Sequence, residues 1–152
     1  MSKAFTREDD AEQGSALPER PIPPQPNLVT SEGLAQIDAA VARLSEQHTA
    51  ARGAGHADAA NLARDLRYWT ARQATAQLTQ RKPGPQVQFG SRGTLKRQNG
   101  SMRTFRIVGT DEADPTKGTL SYVSPLAQAL MGKEIGDTIT IGGNDEEIVD
   151  VT

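Results

Sequence analysis

The sequence predicts an α+β protein in which an antiparallel α-helical coiled-coil hairpin is followed by a bent antiparallel sheet with one short helix. Over two stretches of the first half, apolar residues recur every three or four positions, as in a helix packed against one partner. In the second half, apolar and polar residues alternate around an Asn99-Gly100 turn signal, which is typical of antiparallel strands. The pair Ser124-Pro125 before a short apolar run indicates the one helix within these strands.

Composition limits the classes of function. The 152 residues are 36% hydrophobic and 4% aromatic, which favours two modest units over one large core. The net charge of -2 provides no basic field for nucleic-acid phosphates, so a protein partner is favoured. With Cys 0 and His 2, disulfides, thiolate zinc sites and His-rich metal sites are excluded. The charged start has no apolar signal core and no stretch reaches the ~20 apolar residues of a membrane span, so we expect a cytoplasmic protein without membrane contact.

Residues 1–28 are predicted to be a disordered, proline-rich tail. Five of the nine prolines lie here and large apolar residues are almost absent, so burial cannot offset the entropy of ordering. Such a composition favours extended polyproline II conformations. An alternative is that the stretch Pro21–Pro26 is a ligand for a proline-binding module.

Residues 29–82 are predicted to form the coiled-coil hairpin. Thr30 is a suitable N-cap and Glu32 an acid in the first turn. The first apolar seam comprises Leu34, Ile37, Val41, Leu44, His48 and Ala51, and the second comprises Ala59, Leu62, Leu66, Trp69, Gln73 and Ala76. The stretch Gly53-Ala54-Gly55 separates them. Two helices of about 20 residues each predict an arm on the order of 30 Å long. The alternative for such a hairpin is a packing or dimerisation device.

Residues 86–152 are predicted to contain the sheet. Three pairs of alternating apolar residues indicate strands: Val87 with Phe89, Phe105 with Ile107, and Ile139 with Ile141. The helix after Ser124-Pro125 has an apolar face, and we expect it to end at Gly132.

Several blocks of the second half occur in an order that resembles one protein family. They are Ile107-Val108-Gly109, Asp111-Glu112-Ala113-Asp114, Ser124-Pro125-Leu126-Ala127, Ala129-Leu130-Met131-Gly132-Lys133 and Gly136-Asp137. This order resembles the carboxy-terminal domain of the bacterial Gre transcription factors, GreA and GreB, which bind RNA polymerase. The likeness continues upstream through Val87–Ser91. It implies an FKBP-like version of the bent sheet, preceded as in that family by a coiled-coil hairpin that enters the secondary channel of the polymerase.

In the Gre family the hairpin tip carries an acidic pair in a G-D-x-x-E-N motif, which helps the polymerase hold a second Mg²⁺ and orient the attacking water. Carboxylates suit Mg²⁺, and two metals can stabilise both the entering and the leaving oxygen. If Gly55 matches the family glycine, the acid positions are His56 and Ala59 here. If Leu62–Tyr68 is matched to the family's L-S-E-N-A-E-Y, they are Asn61 and Arg64. Neither alignment retains the pair.

The expected tip residues are therefore Gly55, His56 and Asp58, with no catalytic residue and no metal ligand assigned. We interpret Asp58 as a helix cap, with a metal ligand as the alternative. Each helix is also shorter than the family pattern by about a heptad, or roughly 10 Å of arm. The basic residues Arg64, Arg67, Arg72 and Arg81 could meet acidic channel walls or RNA, or could form a solvated helix face.

The resemblance also implies a docking surface for the rim of the polymerase channel. By position it consists of Asp111, Glu112, Asp114, Ser124 and Pro125. A compact acidic loop would raise the rate and specificity of association with a basic surface. The alternatives are a polar turn ended by Pro115 and a simple helix start.

The leading hypothesis is a Gre-family elongation regulator that binds RNA polymerase at the secondary channel and modulates rather than stimulates transcript cleavage. It is expected to be a monomeric accessory factor rather than an enzyme, with no cofactor of its own and indirect contact with RNA. One alternative is a true cleavage-stimulating factor with an unconventional tip that uses Asp58 or Asp65. A second is a regulator similar to the Rnk proteins that binds another protein. Prolyl isomerase activity is disfavoured because the sheet segment has only three aromatic residues, Phe89, Phe105 and Tyr122.

Overall fold

A computed structural model describes residues 17–152 of the protein. They form two compact units, one with residues 17–23 and Ile37–Ala74, the other with Pro24–Gln36 and Thr75–Thr152. The α+β class is confirmed, with two packed helices before a curled sheet and a short helix. The borders 1–28, 29–82 and 86–152 stay predictions, and residues 1–16 of the predicted tail lie outside the described part. None of the helices within residues 17–152 is both long and apolar enough to cross a membrane.

Helix α1 comprises Ser31–Ala54 and helix α2 comprises Ala59–Thr75. The helices contain 24 and 17 residues, whereas two helices of equal length were expected. Thr30 caps α1 as predicted. Its Oγ1 accepts a hydrogen bond from the Gly33 N–H at 3.0 Å. Gly53 stays helical, and Gly55 with φ 69° ends α1.

The buried stripe of α1 follows the predicted seam. Ile37, Leu44 and Ala51 are buried, and Val41 and His48 between them are half-buried. The 3.6-residue helical period places all of them on one face of α1.

The buried stripe of α2 differs from the predicted seam. Leu62, Leu66 and Trp69 are only half-buried and Gln73 is exposed, whereas Tyr68 and Arg72 are 8% and 2% exposed. The predicted seam corresponds to an α2 that packs against α1 alone. Residues 17–23 also pack on α2, with Arg20 over the Tyr68 ring, and this second contact shifts the buried face.

A five-stranded sheet forms most of the second unit. Its strands are β3 (Arg92–Arg97), β4 (Met102–Val108), β5 (Thr119–Ser121), β6 (Thr138–Ile141) and β7 (Asn144–Val151), in the order β5-β4-β3-β7-β6. The β3–β4, β3–β7 and β6–β7 pairs are antiparallel, as expected. The β4–β5 pair is parallel, which corrects the prediction of an all-antiparallel sheet. The chain returns to the start of β5 through a 3-10 turn at Pro115–Lys117, and parallel neighbours require such a longer connection.

The core lies between the inner face of this sheet and helix α3, Pro125–Leu130. Ala127 and Leu130 of α3 are fully buried against the sheet. The buried core residues are Val87, Phe89, Leu95, Phe105, Ile107, Ala127, Leu130, Ile139 and Ile148.

The segment with Val87 and Phe89 is buried but is not a strand, contrary to the prediction. Its backbone is paired locally instead. The Val87 N–H donates to the Lys133 carbonyl and the Gly132 N–H donates to the Val87 carbonyl, both at 2.8 Å. The alternation thus identified buried side chains, while the backbone partners are in the turn after α3.

A second, two-stranded sheet pairs the two segments that flank the hairpin in the sequence. Strand β1 (Leu28–Val29) pairs in parallel with β2 (Gln77–Leu78). The chain entering α1 and the chain leaving α2 are therefore held side by side by backbone hydrogen bonds.

Candidate functional site

The hairpin tip is built by the end of α1 and the start of α2. The N–H of Gly55 donates to the Arg52 carbonyl at 3.2 Å and the N–H of His56 donates to the Ala51 carbonyl at 3.0 Å. The Asp58 carbonyl accepts from the Leu62 N–H at 3.0 Å, which places Asp58 at the cap position of α2. The tip is therefore an ordered turn with defined backbone caps.

The side chains at this tip do not form a cluster of interacting functional groups. Gly55, His56 and Asp58 are all exposed. Among residues 17–152, no other side chain pairs with the Asp58 carboxylate, so Asp58 caps α2 through its backbone alone. In the same described range no three His, Cys, Asp or Glu side chains are grouped as they would be around a metal ion. Asp58 is the one carboxylate between α1 and α2, and it supplies one oxygen donor group for a cation.

The four arginines considered for a basic face do not form one. Arg72 is buried, and Arg67 donates to Glu19 at 3.0 Å. Arg64 lies 3.6 Å from Asp65 and is about a quarter exposed. Arg81 lies beyond the end of α2 and donates to the Ser91 hydroxyl at 3.0 Å. The four residues therefore do not form one exposed face of the second helix, because Arg72 is buried and Arg81 lies outside the helix.

The predicted docking residues lie in two loops that the sheet brings together. One loop follows β4 and the other follows β5, and the carboxyl ends of parallel neighbours lie at one edge. The Tyr122 N–H donates to the Val108 carbonyl at 3.0 Å, and the Thr110 and Ser121 hydroxyls are 3.4 Å apart.

Glu112 is engaged at the start of α1. Its carboxylate accepts from the Thr30 hydroxyl at 2.6 and 2.7 Å, while Thr30 also caps the Gly33 N–H. A Cβ on Gly33 would lie 2.4 Å from Glu112 Oε2, so glycine makes room for this carboxylate. The acidic loop thereby holds the first turn of the hairpin.

An ion pair also involves the first turn of α1. The Arg106 guanidinium lies 3.1 Å from the Glu32 carboxylate. A hydrogen bond from its own backbone N–H and the bond from Arg106 lower the pKa of Glu32 to about 2. A depressed pKa stabilises the fold above the ordinary value of 4.5, and this contribution is lost as the pH falls through about 2. The Glu32 side chain is 53% exposed, so water and salt weaken the effect.

The remaining docking candidates have local roles. Asp114 accepts from the Thr116 N–H at 3.1 Å and caps the 3-10 turn, and the Thr116 hydroxyl lowers the pKa of Asp114. Ser124 Oγ accepts from the Ala127 N–H at 3.3 Å, as predicted for the cap of α3. Pro125 at the first position of α3 is exposed, and Asp111 is half-buried with a partner inside the chain.

Sequence reasoning missed two sets of charged residues. One is Glu19 and Arg20, which contact α2, and the other is Glu146, which is 5% exposed and accepts two hydrogen bonds from Arg103 at 2.8 and 2.6 Å. Their partners are 43 to 48 positions away in the chain. Only the tertiary structure reveals these contacts.

The chain is similar in sequence to known proteins, most of all over its second half. Residues 82–152 match the family described as "Transcription elongation factor, GreA/GreB, C-term". The chain is 44% identical over 59 residues to GreA of Desulfovibrio desulfuricans, which is 38% of this chain and 36% of that protein. It is 42% identical over 89 residues to GreA of Methylococcus capsulatus, so these two alignments cover only about a third and 56% of the relatives' lengths.

Longer matches extend into the hairpin. The chain is 30% identical over 133 residues to GreA of Rhizobium etli, covering 84% of this chain and 82% of that protein. The crystal structure of GreA factor homolog 1 of Thermus thermophilus matches 84% of this chain and 99% of its own, with 18% identity and a TM-score of 0.42. The match to Rhizobium GreA covers both the hairpin and the sheet at this identity, and the chain therefore belongs to the GreA/GreB family of transcription elongation factors.

Proposed function

We propose that this protein is a transcription elongation regulator that binds RNA polymerase at its secondary channel and modulates transcript cleavage rather than stimulating it. Residues 86–152 dock at the channel rim and the α1–α2 hairpin points inward. The protein is a monomeric accessory factor of the cytoplasm with no cofactor of its own. Membership of the GreA/GreB family supports the polymerase as the partner.

The composition of the tip carries the second half of the proposal. Between α1 and α2, Asp58 is the one carboxylate, and its neighbours are Gly55, His56 and Ala57. A tip that assists hydrolysis by a second Mg²⁺ needs donors for the metal and a further group for the water. A single exposed carboxylate supplies one of these, so the tip occupies the channel without completing the site.

The alternative acid, Asp65, is less suited to this chemistry. It lies in α2 beyond its first turn and is 3.4 Å from the Arg20 guanidinium. A carboxylate that is held by a guanidinium is a weaker ligand for a cation. A cleavage-stimulating role would therefore depend on Asp58.

The rim contact would use the edge that carries Asp111, Glu112, Asp114, Ser124 and Pro125. Glu112, Asp114 and Ser124 already hold α1, the 3-10 turn and α3 in place. Their first role is then to shape the edge, while the exposed Pro125 is free to contact a partner.

Backtracked elongation complexes with labelled RNA provide the test. We expect the protein to leave cleavage at the polymerase's basal rate and to reduce, at increasing concentration, the cleavage that added GreA stimulates. Asp58→Asn should retain this competition, and so should the control Glu46→Gln, which alters an exposed acid of α1. Pro125→Ala keeps the Ser124 cap and should weaken the competition.

Two results would contradict the proposal. Cleavage above the basal rate that Asp58→Asn abolishes would identify a true cleavage factor with an unconventional tip. Absence of competition, together with no retention of core polymerase by the immobilised protein, would favour a regulator of the Rnk type that binds another protein.

A further inference from the structure

Residues 17–23, here termed the strap, lie along α2. The Glu19 carboxylate accepts from Arg67 Nε at 3.0 Å and from its Nη2 at 2.5 Å. Next to it, the Arg20 guanidinium is 3.4 Å from the Asp65 carboxylate and lies 4.0 Å from the centroid of the Tyr68 ring. The strap therefore contacts α2 through two adjacent residues of opposite charge.

The charges on the two sides are complementary in order. The acid of the strap meets the base of α2, and the base of the strap meets the acid of α2. Exchanging the two charges on the strap alone, or on α2 alone, would place like charges together. Such an arrangement contributes to specificity more than to strength, since exposed ion pairs are weak individually.

An aromatic platform lies beneath these charges. The Tyr68 and Trp69 rings meet edge to face, with centroids 5.2 Å apart. Arg20 lies over Tyr68 and is 5.9 Å from the centroid of Trp69. A guanidinium over an aromatic face is attracted by the ring and also covers it from water.

The strap is suited to bind with little loss of entropy. Pro18 precedes the Glu19-Arg20 pair, and Pro21 and Pro23 follow it. Proline restricts the free segment to extended conformations, so less conformational freedom is lost on docking. Proline-rich peptides are commonly recognised in this way by aromatic surfaces.

We propose that Asp65, Arg67, Tyr68 and Trp69 form a peptide-binding site on α2 that recognises a proline-flanked Glu-Arg pair and is occupied in cis by the strap. Covalent attachment keeps the local concentration of the strap high, so a weak site stays filled. The strap acts as a releasable brace of the hairpin that covers the aromatic platform. A free peptide of the same chemistry can occupy the site when the strap is displaced.

The chain offers a matched test because Trp69 is its one tryptophan. In the full-length protein, the strap swap Glu19→Arg with Arg20→Glu preserves composition and prolines but opposes the charges of α2. We expect this variant to lose protection of Trp69 from acrylamide, a neutral quencher. Adding Asp65→Arg and Arg67→Glu to α2 should restore part of the protection, because the ion pairs return while a carboxylate replaces the guanidinium over the Tyr68 ring. The control Glu46→Arg should leave quenching unchanged.

A peptide experiment covers the case in which the α2 variants do not fold. A synthetic peptide of residues 17–23 should restore Trp69 protection to the strap-swap variant, and a peptide with Glu19 and Arg20 exchanged should not. Equal quenching of the wild type and the strap-swap variant, or equal protection by both peptides, would overturn the proposal. The protein alone is measured, so the outcome is independent of polymerase binding.

Discussion

At Gly109, directly after β4, the backbone passes the carbonyl of Leu28 in β1. A Cβ at this position would lie 2.4 Å from the Leu28 oxygen. Because the obstacle is backbone in a paired strand, it cannot rotate away as a side chain would. This residue therefore sets how closely β1 and the entry to α1 approach the edge of the sheet.

We expect Gly109→Ala to lower the free energy of unfolding by about 1–3 kcal/mol, the usual cost of forcing an extra carbon into a packed site. Gly53→Ala is the matched control, since Gly53 is helical and a Cβ there has nothing within 4 Å. It should be neutral or stabilise by up to about 1 kcal/mol, because alanine is the better helix former. Urea unfolding measures both, and equal effects would show that the close contact at Leu28 is not decisive.

Residue roles were predictable where their cause is local. Thr30 and Ser124 were expected as caps, and each accepts a hydrogen bond from an N–H three positions ahead. Glu112 was expected as a docking acid, yet its hydrogen-bond partner is Thr30, 82 positions away. A contact at that separation depends on how the sheet places the loop, and no local pattern encodes it.

At the scale of elements, an ion pair joins two strands that are not neighbours. Arg103 of β4 and Glu146 of β7 lie on either side of β3 and make two hydrogen bonds with each other. The Glu146 side chain is 6% exposed and that of Arg103 is 32% exposed. The two side chains therefore differ in how much hydration each could regain if its partner were removed.

We expect Arg103→Ala to destabilise the protein more than Glu146→Ala does. Without Arg103, the one cation that remains near the buried carboxylate among residues 17–152 is Arg97, at 3.6 Å, whereas without Glu146 the guanidinium can reach water. Breaking a fully buried pair costs about 3–5 kcal/mol, and the partial exposure of Arg103 makes the cost lower here. Thermal unfolding of both variants and of the double variant provides the measurement. A larger loss for Glu146→Ala would contradict this assignment.

Element prediction succeeded where one surface covers an element and failed where two do. The α1 seam matched the buried residues Ile37, Leu44 and Ala51. On α2 the periodicity favoured Leu62, Leu66 and Trp69, while the strap contributes to burying Tyr68. Hydrophobic periodicity shows which face is apolar, but a polar strap that buries an aromatic ring leaves no periodic signal.

At the scale of the whole molecule, the two units have unequal cores. In the part of the hairpin unit that the structure describes, the buried apolar residues are Ile37, Ala40, Leu44, Ala51 and Tyr68. The second unit buries a larger set centred on Leu95, Ile107 and Ile148. Since apolar burial is the main stabilising contribution, the units should differ in their opening free energy.

We expect amide hydrogen exchange to be faster in the hairpin from Ile37 to Ala74 than in β3, β4 and β7. Amides of the central strands should exchange only on global unfolding, and those of α2 by local opening. Mass spectrometry of peptic fragments would resolve the two classes. Uniform protection of both units would show that they unfold as one cooperative body.

The sequence by itself determined the fold class, the caps at Thr30 and Ser124, and the family, because helix period, strand alternation and motif order are local properties. The tertiary structure decided the parallel β4–β5 pair, the role of Glu112 at the start of the hairpin and the strap on α2. These depend on contacts between residues far apart in the chain. The hydrogen bonds and ion pairs that hold these features form only when the folded chain brings their partners within contact distance.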